Sequence, residues 1–157
     1  MKIKLILIGK TDKRYLQEGI EIFAKRIPHY IAFDCVIVPD LKNTKNLSQE
    51  QQKQKEGDLI LAQLAAGDEL VLLDEKGKEF RSLGFAQFLE HKMINSSRTL
   101  VFCIGGPYGF SPEVYARAEG KISLSKMTFS HQMVRLIFLE QLYRAMSILK
   151  GEPYHHE

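Results

Sequence analysis

The stretch TLVFCIGGPYGFSPEV, residues 99–114, places a strand, a loop and a helix start in immediate succession. Residues 99–104 are almost all apolar, which is typical of a strand buried on both faces. Ser111, Pro112 and Glu113 then supply a capping oxygen, a proline in the first turn and an acid near the positive end of the helix dipole. The stretch therefore predicts the strand–loop–helix unit of an α/β sheet, with a glycine-rich loop between strand and helix.

The same alternation runs through the whole chain. Five apolar runs are each followed by a helical pattern, and the predicted strands are residues 3–8, 33–38, 69–73, 99–104 and 121–124. The segment EKGKEF, residues 75–80, is predicted to be a turn. A repeated strand–helix order with near-continuous apolar strands indicates an α/β protein whose parallel sheet is covered on both faces. No linker or repeat interrupts it, so residues 1–157 are expected to form a single domain that ends in a tail, residues 151–157.

The composition is that of a globular protein. The 157 residues are 45% hydrophobic and 26% charged, and no apolar run approaches the roughly 20 residues that span a bilayer. The N-terminal apolar run, residues 3–8, is shorter than the core of a signal peptide and is followed by no cleavage site. We therefore expect a cytoplasmic protein with no membrane contact.

The two cysteines indicate neither a disulfide nor a metal site. Cys35 and Cys103 both lie in apolar, strand-like runs, which predicts two buried free thiols. The chain shows no metal-ligand spacing, so no metal is expected.

Charge is informative only near the N-terminus. The net charge is +3, which is too small to mark a nucleic-acid-binding protein by itself. The first thirty residues, however, hold seven basic residues and three acidic ones. Two interpretations stay open, a solvated helix face and an edge that faces phosphate groups.

The loops after the strands are the candidate ligand-binding segments, because ligands of open parallel sheets bind beyond the carboxyl ends of the strands. Gly9-Lys10-Thr11 is no P-loop, since Lys4 stands where that motif needs its first glycine. Residues 105–109 lack the third glycine of a dinucleotide fingerprint, which disfavours a Rossmann-type oxidoreductase. Together with the segment after the third strand, which begins at Asp74, and with residues 124–129 after the fifth, that loop predicts a pocket of backbone amides and apolar side chains, suited to a flat, neutral heterocycle. The alternative for the glycine loop is a tight turn without a ligand.

The last predicted helix, residues 131–150, is apolar on almost its whole circumference, so it must be buried on more than one side. A second subunit would supply that burial, which predicts a homodimer in which Phe138 and Leu139 lie at the interface. The alternative is a central core helix of a monomer.

Three segments of the chain carry a family resemblance. IGGPYGFSPEV (104–114), SLSKMTFSHQMVRLIFLEQLYRA (123–145) and the terminal PYHHE (153–157) resemble the ribosomal large subunit methyltransferase H family, and the resemblance extends over the whole chain. It implies a small α/β methyltransferase whose parallel sheet contains a trefoil knot, as in the SPOUT class. It also implies transfer of a methyl group from S-adenosylmethionine to N3 of a pseudouridine in helix 69 of 23S rRNA in the assembled ribosome.

The resemblance also assigns candidate site residues. Those implied to bind the cofactor are Leu73, Gly105, Leu124, Ser125, Lys126, Met127, Thr128 and Phe129. Those implied near the reacting groups are His131, Arg135, Arg144, Tyr154 and His155. In this chain His156 stands where the family often has Arg or Lys, which lowers the positive charge of the tail.

Several mechanistic alternatives stay open from the residues. His131 and His155 are both candidate bases because imidazole titrates near neutrality, and water is a third candidate. Arg135 and Arg144 are nine residues apart, roughly 180° around one helix, so they are expected to serve different faces. The tail is expected to fold over the pocket of its own chain or to reach that of a partner subunit. The competing function is a non-catalytic RNA-binding or ribosome-assembly module.

Overall fold

The computed structural model describes residues 1–156, and its centre is one sheet of five parallel strands. The strands are β1 (Lys2–Ile8), β2 (Ala32–Val38), β3 (Glu69–Glu79), β4 (Leu100–Ile104) and β5 (Gly120–Ser123). Their order across the sheet is β2-β1-β4-β3-β5, and every neighbouring pair is parallel.

Helices cover both faces of the sheet. They are α1 (Arg14–Arg26), α2 (Gln49–Leu61), α3 (Ser82–Asn95), α4 (Pro112–Arg117) and α5 (Met133–Leu149), with short 3₁₀ turns at Ile27–His29 and Thr44–Asn46. Ile3, Leu5 and Leu7 of β1 pack with α1, α3 and α5, while Ile6 and Ile8 pack with α2 and α4. The predicted parallel sheet with two covered faces is therefore confirmed.

The second strand differs from its prediction. Cys103 is fully buried in β4, as predicted, but Cys35 is exposed. The reason is that β2 forms one edge of the sheet and pairs only with β1, so much of its surface faces outward. The prediction of a buried Cys35 was wrong because an apolar run does not show whether a strand is central or at an edge.

The third strand is longer than predicted. The segment EKGKEF is not a simple turn, because β3 continues to Glu79 and pairs with β5 a second time after a break in register. Both Leu73 and Lys78 are partners of Ile122, so the residues between them bulge out of the sheet. Gly77 permits the return, since a Cβ there would lie 2.6 Å from the Ile122 backbone.

Helix α5 is buried within its own chain. It packs on the sheet between α1 and α3, and the Phe138 ring lies 4.9 Å from the Phe102 ring, centroid to centroid. A Cβ at Gly19 of α1 would lie 2.9 Å from Leu136, so the glycine permits close packing of the two helices. Phe138 and Leu139 are fully buried in this core, which corrects their predicted place at a dimer interface.

Candidate functional site

A pocket of about 440 Å³ lies at the carboxyl ends of β3, β4 and β5. Its volume is within the usual range of small-molecule sites. Three segments of the chain form its walls: the bulge of β3, the loop after β4 and the loop after β5. The main lining residues are Leu73, Asp74, Glu75, Ile104, Gly106, Tyr108, Phe110, Tyr115, Ile122, Leu124, Ser125, Met127, Thr128, Phe129, His131 and Val134.

The loop after β4 is held in place by α2. The Gly106 N–H donates to Glu56 Oε1 at 3.2 Å, and a Cβ on Gly106 would collide with that carboxylate. Burial raises the pKa of Glu56, and the hydrogen bond from Gly106 opposes that shift. Gly109 adopts a φ of +82°, a left-handed conformation that favours glycine. A helix that does not line the pocket therefore sets the path of one of its walls.

The loop after β5 is a tight turn built on hydroxyl groups. Ser123 Oγ donates to the Ser125 carbonyl oxygen at 2.8 Å, and the Met127 N–H donates to Ser125 Oγ at 2.9 Å. Thr128 Oγ1 donates to Glu75 Oε2 at 3.1 Å and so ties this loop to the bulge of β3. Two of the three walls are therefore hydrogen-bonded to each other.

Acidic and apolar groups share the pocket surface. Leu73, Ile104 and Ile122 give it an apolar floor. The Tyr115 hydroxyl donates to Asp74, and burial together with that carboxylate raises the pKa of Tyr115 to about 12. Tyr115 is therefore a neutral donor at physiological pH. Lys76 also lines the pocket, so an apolar floor with two carboxylates and one ammonium group beside it suits a flat ligand that carries charges of both signs.

The structure brings most of the predicted cofactor residues together. Six of the eight line the pocket, namely Leu73, Leu124, Ser125, Met127, Thr128 and Phe129. Gly105 lies behind the wall, where a Cβ would lie 3.0 Å from the Phe110 ring, and Lys126 belongs to the same turn as Ser125 without lining the cavity. His131 lines the pocket as well. Their contact with a cofactor stays a prediction.

Arg135 lies outside the pocket and is fully buried. Its Nη1 donates to the Gly9 carbonyl oxygen at 2.9 Å and to Thr11 Oγ1 at 3.0 Å, and its Nη2 donates to the Ile8 carbonyl oxygen. Burial lowers the pKa of the guanidinium, and the Asp40 carboxylate opposes that shift. In this chain Arg135 holds the end of β1 and does not face the pocket.

Arg144, Tyr154 and His155 form a second cluster, at the other end of α5. Arg144 pairs with Glu140, its guanidinium carbon lies 4.8 Å from the centre of the Tyr154 ring, and its Nη1 lies 3.1 Å from His155 Nδ1. The Tyr154 hydroxyl donates to Glu140 Oε1 at 3.1 Å. The tail therefore docks on α5 of its own chain and does not cover the pocket of that chain; Glu157 lies outside the described residues.

Sequence reasoning missed several pocket residues. Asp74, Tyr108, Phe110 and Tyr115 line the cavity, but none was named as a candidate site residue, although Asp74 and Tyr108 lie in the predicted pocket loops. Asp74 and Tyr108 carried a usable signal, since each follows a predicted strand within a few residues. Phe110 and Tyr115 carried none, because their side chains reach the pocket only through the turn of the loop into α4.

Two further features of residues 1–156 concern membranes and metal ions. In this part of the chain, no helix has the length and apolar character needed to cross a bilayer. The same residues contain no group of three or more His, Cys, Asp or Glu side chains arranged to hold a metal ion.

Comparison with known proteins identifies the family. A family model described as a predicted SPOUT methyltransferase matches residues 1–155. Proteins named ribosomal RNA large subunit methyltransferase H are similar over their full length: that of Parabacteroides distasonis is 63% identical and that of Flavobacterium johnsoniae 61% identical, with 100% of each chain covered. That of Christiangramia forsetii is 60% identical over 99% of each chain. The chain therefore belongs to the SPOUT methyltransferases and, among them, to the ribosomal RNA large subunit methyltransferase H family.

Proposed function

We propose that this chain transfers a methyl group from S-adenosylmethionine to N3 of a pseudouridine in helix 69 of 23S rRNA. One domain, residues 1–157, carries the activity, and the family implies a knotted α/β fold for it. The enzyme acts in the cytoplasm, on the assembled ribosome. The observation that carries the proposal is the pocket at the carboxyl ends of β3, β4 and β5, in a chain that belongs to a methyltransferase family.

The pocket fits the methyl donor by its chemistry. The apolar floor of Leu73, Ile104 and Ile122 suits an adenine ring, and the backbone of the loop after β5 offers polar groups at its edge. Asp74 and Glu75 place carboxylates at the rim, where they would attract the positively charged groups of the donor. Gly106 exposes backbone to the cavity. No metal or nucleophilic residue is needed, since the donor supplies an already activated methyl group on its sulfonium.

The remaining task of the protein is to position N3 and to remove its proton. Positioning supplies up to roughly 7–11 kcal/mol of a barrier in ideal intramolecular cases. His131 is the one predicted base that lines the pocket, so we assign it the first place among the candidates for accepting the N3 proton. Water is the alternative acceptor, and His155 qualifies only if the tail of another subunit reaches this pocket.

We also propose that the enzyme is a homodimer, because the cluster of Arg144, Tyr154 and His155 lies away from the pocket of its own chain. The burial of α5 is satisfied within one chain, so its apolar circumference no longer requires a partner. Ten residues separate Val134 at the pocket from Arg144, about 15 Å along a helix. If Arg144, Tyr154 and His155 act on the substrate, they therefore act in the pocket of a second copy. Sedimentation at micromolar concentration tests this directly, and a monomer would contradict it.

Thermal unfolding and methyl transfer test the function. Donor or demethylated donor at 100 times its Kd is expected to stabilise the fold by about 2.7 kcal/mol. Assembled ribosomes and naked 23S rRNA are then compared as acceptors of a labelled methyl group, and nuclease digestion locates it on the base. If the donor does not stabilise the fold and no methyl group is transferred, yet the protein binds ribosomes, the RNA-binding module is favoured over the enzyme.

A further inference from the structure

We propose that the loop after β1, residues 10–14, contacts the phosphate backbone of the RNA substrate and is held beside the pocket by Gln132 and Arg135. The inference rests on the proposed function, because it names the part of the chain that would hold the RNA of that reaction. It is carried by the hydrogen bonds that fix this loop and by the charges that the loop exposes.

The loop presents positive charge to solvent. Lys10, Lys13 and Arg14 are all exposed. Within residues 1–156, no carboxylate oxygen lies within 4.0 Å of the ammonium group of Lys10 or Lys13. Arg14 pairs with Glu18 at 3.0 Å, yet its side chain is 90% exposed. Residues 10–14 therefore carry three positive charges and one negative charge, that of the exposed Asp12, so a net charge of +2 faces solvent.

Gln132 fixes the loop to the entrance of α5. Its Oε1 accepts from the Asp12 N–H at 2.9 Å, and its Nε2 donates to the Lys10 carbonyl oxygen at 3.2 Å. The preceding residue, His131, lines the pocket. The backbone that carries the lysines is thus hydrogen-bonded to the residue next to a pocket wall.

Arg135 fixes the same loop from the core. It donates to the Gly9 carbonyl oxygen and to Thr11 Oγ1, while Gln17 Nε2 donates to the Thr11 carbonyl oxygen. Burying a guanidinium is costly unless its hydrogen bonds are satisfied, and here they go to the carbonyl oxygens of Ile8, Gly9 and His131 and to the Thr11 hydroxyl, at the base of this loop. A loop ordered in advance loses less conformational entropy when it binds. Arg135 is therefore a positioning residue for the RNA contact.

The exposed groups fit RNA better than a small anion. The cations follow one another along a short stretch of chain, as phosphates do along a nucleic-acid strand. Tyr15 follows the loop directly and is 61% exposed, so its ring is available for stacking on a base.

Salt-dependent binding to assembled ribosomes tests the proposal without the methyl donor. The double variant Lys10→Ala/Lys13→Ala is expected to lower the slope of log affinity against log salt by about 1.4–1.8, the loss of two phosphate contacts. In the methyl-transfer assay its KM for ribosomes rises about tenfold, while kcat and donor affinity stay at the wild-type values. Lys25→Ala/Lys55→Ala removes two other lysines, both exposed, and is expected to leave slope and KM unchanged.

Gln132→Ala separates the effect of the loop's position from the effect of its charge. It keeps every cation but frees the loop, so the KM for ribosomes is expected to rise severalfold with an unchanged salt slope. The proposal is overturned if the Lys10/Lys13 variant keeps the wild-type slope, if the control variant loses as much, or if the wild-type protein does not bind ribosomes. If the wild type binds with the expected slopes but transfers no methyl group, the proposed function fails and the RNA contact stands.

Discussion

Helix α5 carries an arginine near each end, and the two lie in opposite surroundings. Arg135 is fully buried and donates to the backbone oxygens of Ile8 and Gly9 at the end of β1. Arg144 is partly exposed, and within residues 1–156 its guanidinium bonds to two side chains, Glu140 and the His155 ring, and lies against the ring of Tyr154. The comparison shows that two arginines of the same helix can have separate tasks, one in holding the fold beside the pocket and one in holding the C-terminal tail on α5.

The largest expected effect is that of replacing the buried arginine, Arg135. Arg135→Met keeps much of the side-chain volume but leaves the carbonyl oxygens of Ile8 and Gly9 without their donor. Each buried group left unpaired costs about 1–3 kcal/mol, so the free energy of unfolding is expected to fall by about 3 kcal/mol or more. Urea unfolding measures it. The matched control, Arg144→Met, removes a partly exposed ion pair and is expected to cost about 1 kcal/mol or less. Equal losses would erase the distinction.

The next largest effect concerns the pocket, which lies beside the start of α5. A Cβ added at Gly105 would lie only 3.0 Å from the Phe110 ring, so the larger side chain of Gly105→Val is expected to push this ring into the pocket. The affinity for S-adenosylmethionine should fall by at least about a hundredfold, about 2.8 kcal/mol. Calorimetry on the folded variant measures it. Gly67→Val, at a site where nothing lies within 4 Å of the added Cβ, is the control and should bind as the wild type does.

A smaller effect is expected when the tail that contacts Arg144 is removed. Deletion of residues 154–157 is expected to leave donor affinity unchanged and to lower methyl transfer to ribosomes by at least about tenfold, ~1.4 kcal/mol in the transition state. Because Tyr154 packs against Tyr143 with ring centroids 4.8 Å apart, a modest loss of stability should accompany it. Full activity of the truncated protein would remove Tyr154 and His155 from the site.

The smallest effect isolates one hydroxyl of the tail. Burial first, and Glu140 second, raise the pKa of Tyr154, so its hydroxyl stays protonated and donates to Glu140 at neutral pH. Tyr154→Phe removes only this bond, and the free energy of unfolding should fall by about 0.5–1.5 kcal/mol. Since the pKa of this hydroxyl lies above the ordinary tyrosine value of about 10, the hydroxyl stays protonated up to pH 9, and the loss in the free energy of unfolding should be the same at pH 6 and pH 9. A difference that varies between these pH values would contradict the assignment.

Much of the candidate site could be read from the chain because it lies where strands end. The segments 105–109 and 124–129 follow apolar strands, and the parallel order brings such ends to one edge of the sheet. Those two loops supply most of the pocket wall. The roles of individual side chains could not be read in the same way. Arg135 and Arg144 look alike in sequence, and only their neighbours in space decide which one is buried.

Local signals determined the elements of this protein, since they act over a few residues. The apolar runs and the cap at Ser111 placed the strands and the start of α4 close to where they were expected. Tertiary structure alone decided three things that depend on contacts between distant residues. It placed β2 at an edge and so exposed Cys35, it extended β3 through Gly77 by a second pairing with β5, and it buried α5 between α1 and α3 within one chain. The physical reason is that burial and strand pairing depend on neighbours that the chain brings together only when it folds.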